Sequence, residues 1–412
     1  SSSSSSRSAK RPTKYAFTWG NGDFGRLGLG DLCRNVELPA FCAVGGGGTP
    51  SSSSFKSITQ VSCGGAHTLL LDADGTVYSA GLNESGQLGQ GTLNPFVAAP
   101  RPVVGIDAPV KAIAAGRDHS VCVTREGALW VCGSNVKGKL GLGKKGGTPA
   151  VVEAFVRNEY LENHAIDQVA LGAGHTLALS REGEVFSFGD SRYGVLGHGM
   201  QKILFFVSSK DEWAPRKIEA LDGKVVTSIA AGDTYSGCVD DQGLVHTWGQ
   251  GSFWKLGLEK DVDAWYPEPV SGLSYVKKLA LGFSHSMAMT HHGKLFVWGS
   301  NQNGCLGIGK KGSVMKEPHK VDLDLAGGEE VVDISCGWKH SAAVTAQGNL
   351  LTWGWGGSMG TSSIYDSGGQ LGHDNVFDYW EPTLTRRPSA GKRDLAALSV
   401  SCGFNHTAAI YE

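Results

Sequence analysis

Gly64-Gly65-Ala66-His67-Thr68-Leu69-Leu70-Leu71-Asp72-Ala73-Asp74-Gly75-Thr76-Val77-Tyr78-Ser79-Ala80-Gly81 reads as two short apolar strands around a turn. A Gly-x-x-His-Thr start opens the stretch and Gly closes it, fourteen residues after the His. The same distance separates His119 from Gly133, His175 from Gly189, His285 from Gly299 and His340 from Gly354. Tyr235 stands in the His slot and leads to Gly249. A seventh start, Gly403-Phe404-Asn405-His406-Thr407, has no room for its second strand, but Tyr15-Ala16-Phe17-Thr18-Trp19-Gly20 supplies one at the other end of the chain. A circle cut inside a repeat has this appearance.

Repeats of about 40 to 50 residues with several short strands each point to a β-propeller. The turn slot holds Asp72-Ala73-Asp74-Gly75, Thr124-Arg125-Glu126-Gly127, Ser180-Arg181-Glu182-Gly183 and Asp240-Asp241-Gln242-Gly243. Gly suits a tight hairpin turn because it accepts positive φ. A second Gly follows eight residues after each strand-closing one, usually behind Leu, as in Leu88-Gly89 and Leu140-Gly141. At Leu371-Gly372 ten inserted residues displace it. The rest of each repeat varies in length and carries Pro39, Pro100, Pro149, Pro215, Pro267, Pro318 or Pro382. Pro is tolerated at a strand start or on an edge strand. The constant half therefore reads as inner strands and the variable half as outer strands and loops. The expected fold is all-β: a seven-bladed propeller of four-stranded blades over residues 15–412, closed by the N-terminal strand.

Composition agrees with one large β body. The 412 residues include 60 Gly and only 18% charged residues, with a formal net charge of −2. That charge gives no bulk argument for nucleic acid. No apolar run is long enough to span a bilayer as a helix. Nine Cys contain no Cys-x-x-Cys pair. Cys63, Cys336 and Cys402 share one repeat position, as small buried hydrophobes do, so reduced thiols and an intracellular setting are expected. The first fourteen residues are Ser-rich and basic, with no acid. They read as an organellar transit segment or a disordered tail. The Gly45 to Ser54 stretch reads as a flexible loop within a blade.

Gly-x-x-His-Ser, a strand ending in Trp-Gly (Trp248-Gly249, Trp298-Gly299, Trp353-Gly354) and Ser85-Gly86-Gln87-Leu88-Gly89 together resemble the regulator of chromosome condensation family of seven-bladed propellers. The resemblance covers residues 15–412 and repeats seven times in phase. No Trp-Asp dipeptide occurs, and Gly-Gly doublets do not recur in register, so other propeller families fit worse. The family includes a guanine-nucleotide exchange factor for a nuclear GTPase, a plant UV-B photoreceptor and organellar proteins tied to gene expression. The resemblance thus implies binding functions without enzyme chemistry, cofactor or metal. The photoreceptor pattern requires several Gly-Trp-Arg-His-Thr copies, and only Gly337-Trp338-Lys339-His340-Ser341 approaches it. The exchange factor uses acidic and His loop residues and an inserted β-wedge. Asp118 and Asp233 are the acidic candidates here.

The repeated elements Gly64, His67, Gly116, His119, Gly172, His175, Gly282, His285, Gly337, His340, Gly403 and His406 are read as structural. A catalytic residue has no reason to recur six times at one register, whereas a ring nitrogen bonded to the backbone of a neighbouring strand does. His291-His292 lacks a third metal ligand nearby. Gly20-Asn21-Gly22-Asp23-Phe24-Gly25, Gly133 to Leu140 and Gly356-Gly357-Ser358-Met359-Gly360 imitate nucleotide and nucleophile motifs. Each lacks the helix or the Ser/Thr that the chemistry needs.

Two decorations remain. Lys144, Lys145, Lys310 and Lys311 share one slot in two blades, and Arg386, Arg387, Lys392 and Arg393 lie in a variable half. Together they read as a basic rim for RNA phosphate or an acidic protein. Leu204, Phe205 and Phe206, with Trp213, read as a packed outer strand, or else as a partner-binding wedge. The leading expectation is a protein-interaction scaffold, mitochondrial rather than nuclear or cytoplasmic, that serves organelle gene expression or RNA processing. The alternatives are an exchange factor for a small GTPase and, behind it, a UV-B photoreceptor.

Overall fold

Seven four-stranded antiparallel sheets surround one axis in the computed structural model. The structure describes residues 13–32, 34–45, 55–144, 147–203, 206–309, 314–321, 323, 328–357 and 368–412. In the first blade the strands run outward from the axis as Ile58–Cys63, His67–Asp72, Val77–Leu82 and Phe96–Pro102. The second strand of every blade, including His119–Thr124 and His406–Tyr411, is buried along its whole length. Such strands read as continuous apolar runs because both faces are covered.

The fourteen-residue spacing is hairpin register. His67 pairs directly with Gly81, His119 with Gly133, and each later copy does the same, down to His406 with Gly20. Gly is required at the second position. Gly81 sits at φ +117°, and a Cβ there would lie 2.5 Å from the Ala66 carbonyl oxygen and 2.6 Å from His67 Cα. The prolines have an equally local cause. Between the third and outer strands the pairing skips, for example from Ser79↔Arg101 to Gly81↔Val97, and Pro100 lies in the skip. Pro39, Pro215, Pro267, Pro318 and Pro382 occupy the same unpaired place. A bulge on an edge strand needs no N–H from that residue. In the second blade Phe155 takes this place, and Pro149 falls two residues before the outer strand Val151–Arg157.

Ring closure is direct. The last blade contains Ala397–Cys402, His406–Tyr411, Tyr15–Gly20 and Val36–Phe41, so both ends of the chain build one sheet. Lys14 is already held: its N–H donates to Ser57 Oγ and its carbonyl accepts from Ile58 N–H. Trp19, Trp248, Trp298 and Trp353 are fully buried between blades. No helix among the described residues is long and apolar enough to cross a membrane.

Strand directions give the propeller two distinct faces. The turns joining first and second strands, and the loops joining third and outer strands, lie at the end of the blades that carries the His starts. The tight turns such as Asp72 to Gly75 lie at the other end. Two small hairpins decorate the body. Ser389–Ala390 with Arg393–Asp394 follows the outer strand Tyr379–Leu384. Gln201–Ile203 with Phe206–Ser208 projects from a third-to-outer loop at the His-start face. The segment expected to pack as an outer strand is therefore a separate hairpin. The outer strand of its blade is Glu212–Lys217, whose pairing opens at Gly189↔Glu212 and leaves the preceding residues free of the sheet.

Candidate functional site

Each repeat His reaches across to the next blade. His67 Nε2 lies 2.9 Å from Ser120 Oγ, His175 Nε2 2.9 Å from Ser236 Oγ, and His340 Nε2 2.9 Å from Thr407 Oγ1. His119, His285 and His406 meet Thr176, Ser341 and Thr68 in the same way. Tyr235 keeps the circuit with a different group: its hydroxyl donates to the His285 carbonyl at 2.6 Å and lies 3.0 Å from Ser286 Oγ. The links form a closed circle of seven. The partner is thus a hydroxyl of the neighbouring blade rather than backbone. The [Ser/Thr] after every His or Tyr is the receiving end of the previous link.

These hydroxyls fix the tautomer. Ser120 donates to the Gln87 carbonyl, Ser236 to Val195 and Thr407 to Gln370. A hydroxyl has one proton, so it can only accept from the imidazole, and Nε2 must carry the hydrogen. Nδ1 of His67, His119, His285, His340 and His406 is buried without a hydrogen-bond partner. Burial accordingly drives the pKa of His67, His175 and His340 down to about 3 and that of His285 to about 4. Gly64, Gly116, Gly172, Gly282, Gly337 and Gly403 are needed under these rings: a Cβ on Gly337 would lie 2.3 Å from His340 Cε1. The whole set ties each blade to the next. Ser341→Ala is expected to destabilise by about 1–3 kcal/mol, because His285 Nε2–H then loses its acceptor in a dry site. Chemical denaturation of wild type and variant measures it, and an unchanged midpoint would contradict the role assigned to the link.

The chemistry-bearing residues lie where the first-to-second turns meet around the axis. Beside the repeat Gly of each turn, the residue after it borders the central opening: Gly65, Arg117, Ala173, Asp233, Phe283, Trp338 and Phe404. The three aromatics come from consecutive blades and form a contiguous arc. Trp338 lies 6.0 Å from Phe283, 5.7 Å from Phe404 and 5.8 Å from the buried Trp355, ring centre to ring centre. Cations lie against this arc. Lys339 Nζ is 4.6 Å from the Trp338 ring centre, and Arg117 Cζ is 5.9 Å from that of Phe404. Lys255, only 2% exposed, lies 5.0 Å from the Tyr235 ring and 6.0 Å from Phe283. Burial lowers the Lys255 pKa to about 8, against the pull of Asp233 and Asp263. Burial also raises the Asp233 carboxyl, while Arg117 and Lys255 oppose it.

The expected site residues are dispersed. Lys144 is exposed at the His-start face, with its Nζ 5.1 Å from the Trp213 ring centre. Arg387 bonds the Gln347 carbonyl and Asn349 at the other end of the blades, with Arg386 beside it. Lys144 and the arginines therefore lie on opposite faces and form no single rim. Sequence slots do not reveal which end of a blade a loop occupies. Lys145, Lys310, Lys311, Leu204 and Phe205 fall outside the described residues. Phe206 opens the second strand of the small hairpin. Trp213 is half-buried in the outer strand Glu212–Lys217, against Gly138 of the preceding blade. Asp118 pairs with Lys139, and Asp233 sits at the opening, so the two acids have separate environments. The mouth residues occupied the variable position of the Gly-x-x-His start, a position that gains meaning only once seven copies converge.

Among the described residues no group of His, Cys, Asp and Glu is arranged to hold a metal, and the described cysteines are all free. The RCC1-like domain model matches residues 15–409. The chain is 31% identical over 357 residues to the ultraviolet-B receptor UVR8 of Arabidopsis thaliana, covering 85% of this chain and 75% of that protein. It is 27% identical over 425 residues to the secretion-regulating guanine nucleotide exchange factor of Bos taurus, covering 97% and 84%. The crystal structure of human WBSCR16 matches 97% of this chain and 99% of its own, with TM-score 0.81 and 25% identity. With the seven in-phase blades and a family match across nearly the whole chain, this protein belongs to the RCC1-like domain family.

Proposed function

We propose that this chain is a non-enzymatic interaction propeller that binds its protein partner on the His-start face. The observation that carries the reading is the aromatic arc of Phe283, Trp338 and Phe404 with cations against it, held on seven rigid turns. Aromatic and Arg side chains on a fixed frame are the residues that dominate protein interfaces. The organellar setting is proposed with it, from the Ser-rich basic composition of residues 1–14. Direct RNA binding has less support, because Lys144 and the Arg386–Arg387 pair lie on opposite faces. The photoreceptor reading is weakened too: Trp338 is the sole Trp among the seven turn residues at the mouth.

A second reading is favoured by the hairpin Gln201–Ile203 and Phe206–Ser208 on the same face. Its base is tied down: Ser191 Oγ donates to Asp211 Oδ1 at 3.0 Å and lies 3.0 Å from Ser209 Oγ. An inserted hairpin on the same face as the mouth, and the similarity to a secretion-regulating exchange factor, support nucleotide exchange on a small GTPase. Binding and distorting the GTPase would carry that activity, with no covalent chemistry by the propeller. Proximity labelling in cells is expected to lose partners with Phe283→Ala/Trp338→Ala and to keep them with Arg386→Ala. Identical partner sets would refute the face assignment. Release of fluorescent GDP from candidate GTPases is expected to slow at least tenfold when residues 201–208 become a Gly-Ser linker. Release that no GTPase shows with the wild-type chain would remove the second reading alone. Imaging of the full-length protein tests the organelle: a diffuse cytosolic signal would contradict it.

A further inference from the structure

The mouth carries a charge imbalance at short range. Arg117, Lys255 and Lys339 form no ion pair among the described residues, although all three lie against aromatic rings. Asp233 is the sole carboxylate among the lining residues, and it approaches none of these cations closely enough to pair. Lys255 has neutral partners instead: Thr234 Oγ1 at 3.0 Å and Gln250 Oε1 at 2.8 Å. A cation on a ring face has shed part of its water, so pairing it with an incoming anion costs less desolvation.

The remaining geometry selects the anion. The opening has a volume of about 150 Å³, well below the roughly 300 Å³ at which cofactor and drug-sized sites begin. It accepts one side chain. A phosphate site would present free backbone N–H groups. Here the N–H groups of Gly65, Ala173, Asp233, Trp338 and Phe404 already donate to carbonyls of the next blade. Of the seven turn residues only Arg117 and Phe283 show no such bond, too few to cradle a phosphate, so what remains is mainly charge from side chains beside an apolar wall.

We infer that the mouth receives a carboxylate of the protein partner, an Asp or Glu side chain next to an apolar residue. Arg117 and Lys339 meet the carboxylate, and Phe283, Trp338 and Phe404 pack on the neighbouring apolar group. Gly65 contributes by omission: it separates Arg117 from Phe404 in the ring and carries no side chain, so the guanidinium reaches across. This inference rests on the proposed use of the same face for partner binding.

The test uses the full chain and a fluorescein-labelled, end-blocked Glu-Phe-Glu-Phe peptide, followed by anisotropy. The Gln-Phe-Gln-Phe peptide is expected to bind at least tenfold more weakly. Arg117→Ala/Lys339→Ala is expected to weaken the Glu peptide at least tenfold with no change in melting temperature, since both side chains are at least partly exposed. Raising salt should weaken the Glu peptide in wild type and affect the double variant much less. Equal binding of the two peptides would overturn the inference, as would inorganic phosphate that competes at the same concentration as unlabelled Glu peptide. A partner lost by Phe283→Ala/Trp338→Ala but kept by Arg117→Ala/Lys339→Ala would leave the proposed function standing and refute the carboxylate. A partner kept by both variants would refute the face itself.

Discussion

A chain lacking residues 1–20 is expected to lose its cooperative thermal transition, whereas one lacking residues 1–12 should melt as the full chain does. Tyr15–Gly20 is an interior strand of the last blade, paired on one side with His406–Tyr411 and on the other with Val36–Phe41. Its removal detaches the outer strand and opens a row of unpaired backbone groups on His406–Tyr411. The side chains matter as much. Trp19 is fully buried, its Nε1–H donates to the Gln370 carbonyl, and Phe17 packs at 5.3 Å against Tyr411. Removing one buried Trp alone costs about 3–5 kcal/mol, against a typical net stability of about 5–15 kcal/mol. The circuit of His links is interrupted with it, because Thr68, which receives His406, also donates to the carbonyl of Arg26 in the loop that follows this strand. Scanning calorimetry of the two truncations decides the matter. Melting temperatures within about 2 °C of each other would mean that the ring does not depend on its closing strand.

The part of this architecture legible in the sequence is the part set by local register. A His paired with Gly across a tight turn fixes their separation along the chain, so the spacing survived in every blade. The prolines were legible for the same reason, since an edge bulge tolerates them wherever it falls. Contacts between blades were only half legible. The Ser or Thr after each His was visible as a pattern, but its role requires knowing that blades follow one another around an axis and that the last meets the first. Loop decorations were least legible. Lys144 and Arg387 occupy variable segments of similar composition, and only strand direction puts them at opposite ends. The hairpin at Gln201 to Ser208 has the apolar look of an outer strand. What separates it is the Gly189↔Glu212 pairing, a long-range fact.

The His circuit makes acid unusually damaging to this fold. An unfolded His takes up a proton below about pH 6.5. In the native ring the imidazole cannot follow. Nε2–H is committed to a hydroxyl that already donates elsewhere, and the proton would have to enter at Nδ1 of a buried ring, an atom that in His67, His285 and His340 has no partner. His67, His175 and His340 therefore hold out to about pH 3 and His285 to about pH 4. The unfolded chain binds more protons than the native one between these limits, so stability is fully present above about pH 6.5 and falls as pH drops. Each such His costs about 1.4 kcal/mol per pH unit, so four cost about 5–6 kcal/mol per unit at the steepest. At that slope about 8 kcal/mol is lost between pH 6.5 and pH 5, which lies within the range of an ordinary net stability. Asp118, Asp190 and Asp240, whose pKa values their partners hold down against the effect of burial, act in a lower window: their unfolded counterparts titrate near 4. Urea titrations from pH 7.5 to 5 should thus show stability falling with the uptake of at least four protons on unfolding. His285→Gln keeps a donor in the circuit and removes one titrating ring, so its slope should be shallower by about one proton. Tyr235 has already made that exchange in its own blade, with a hydroxyl that does not titrate in this range. A wild-type slope below one proton, or a His285→Gln slope equal to wild type, would mean that the rings are not held neutral by the circuit.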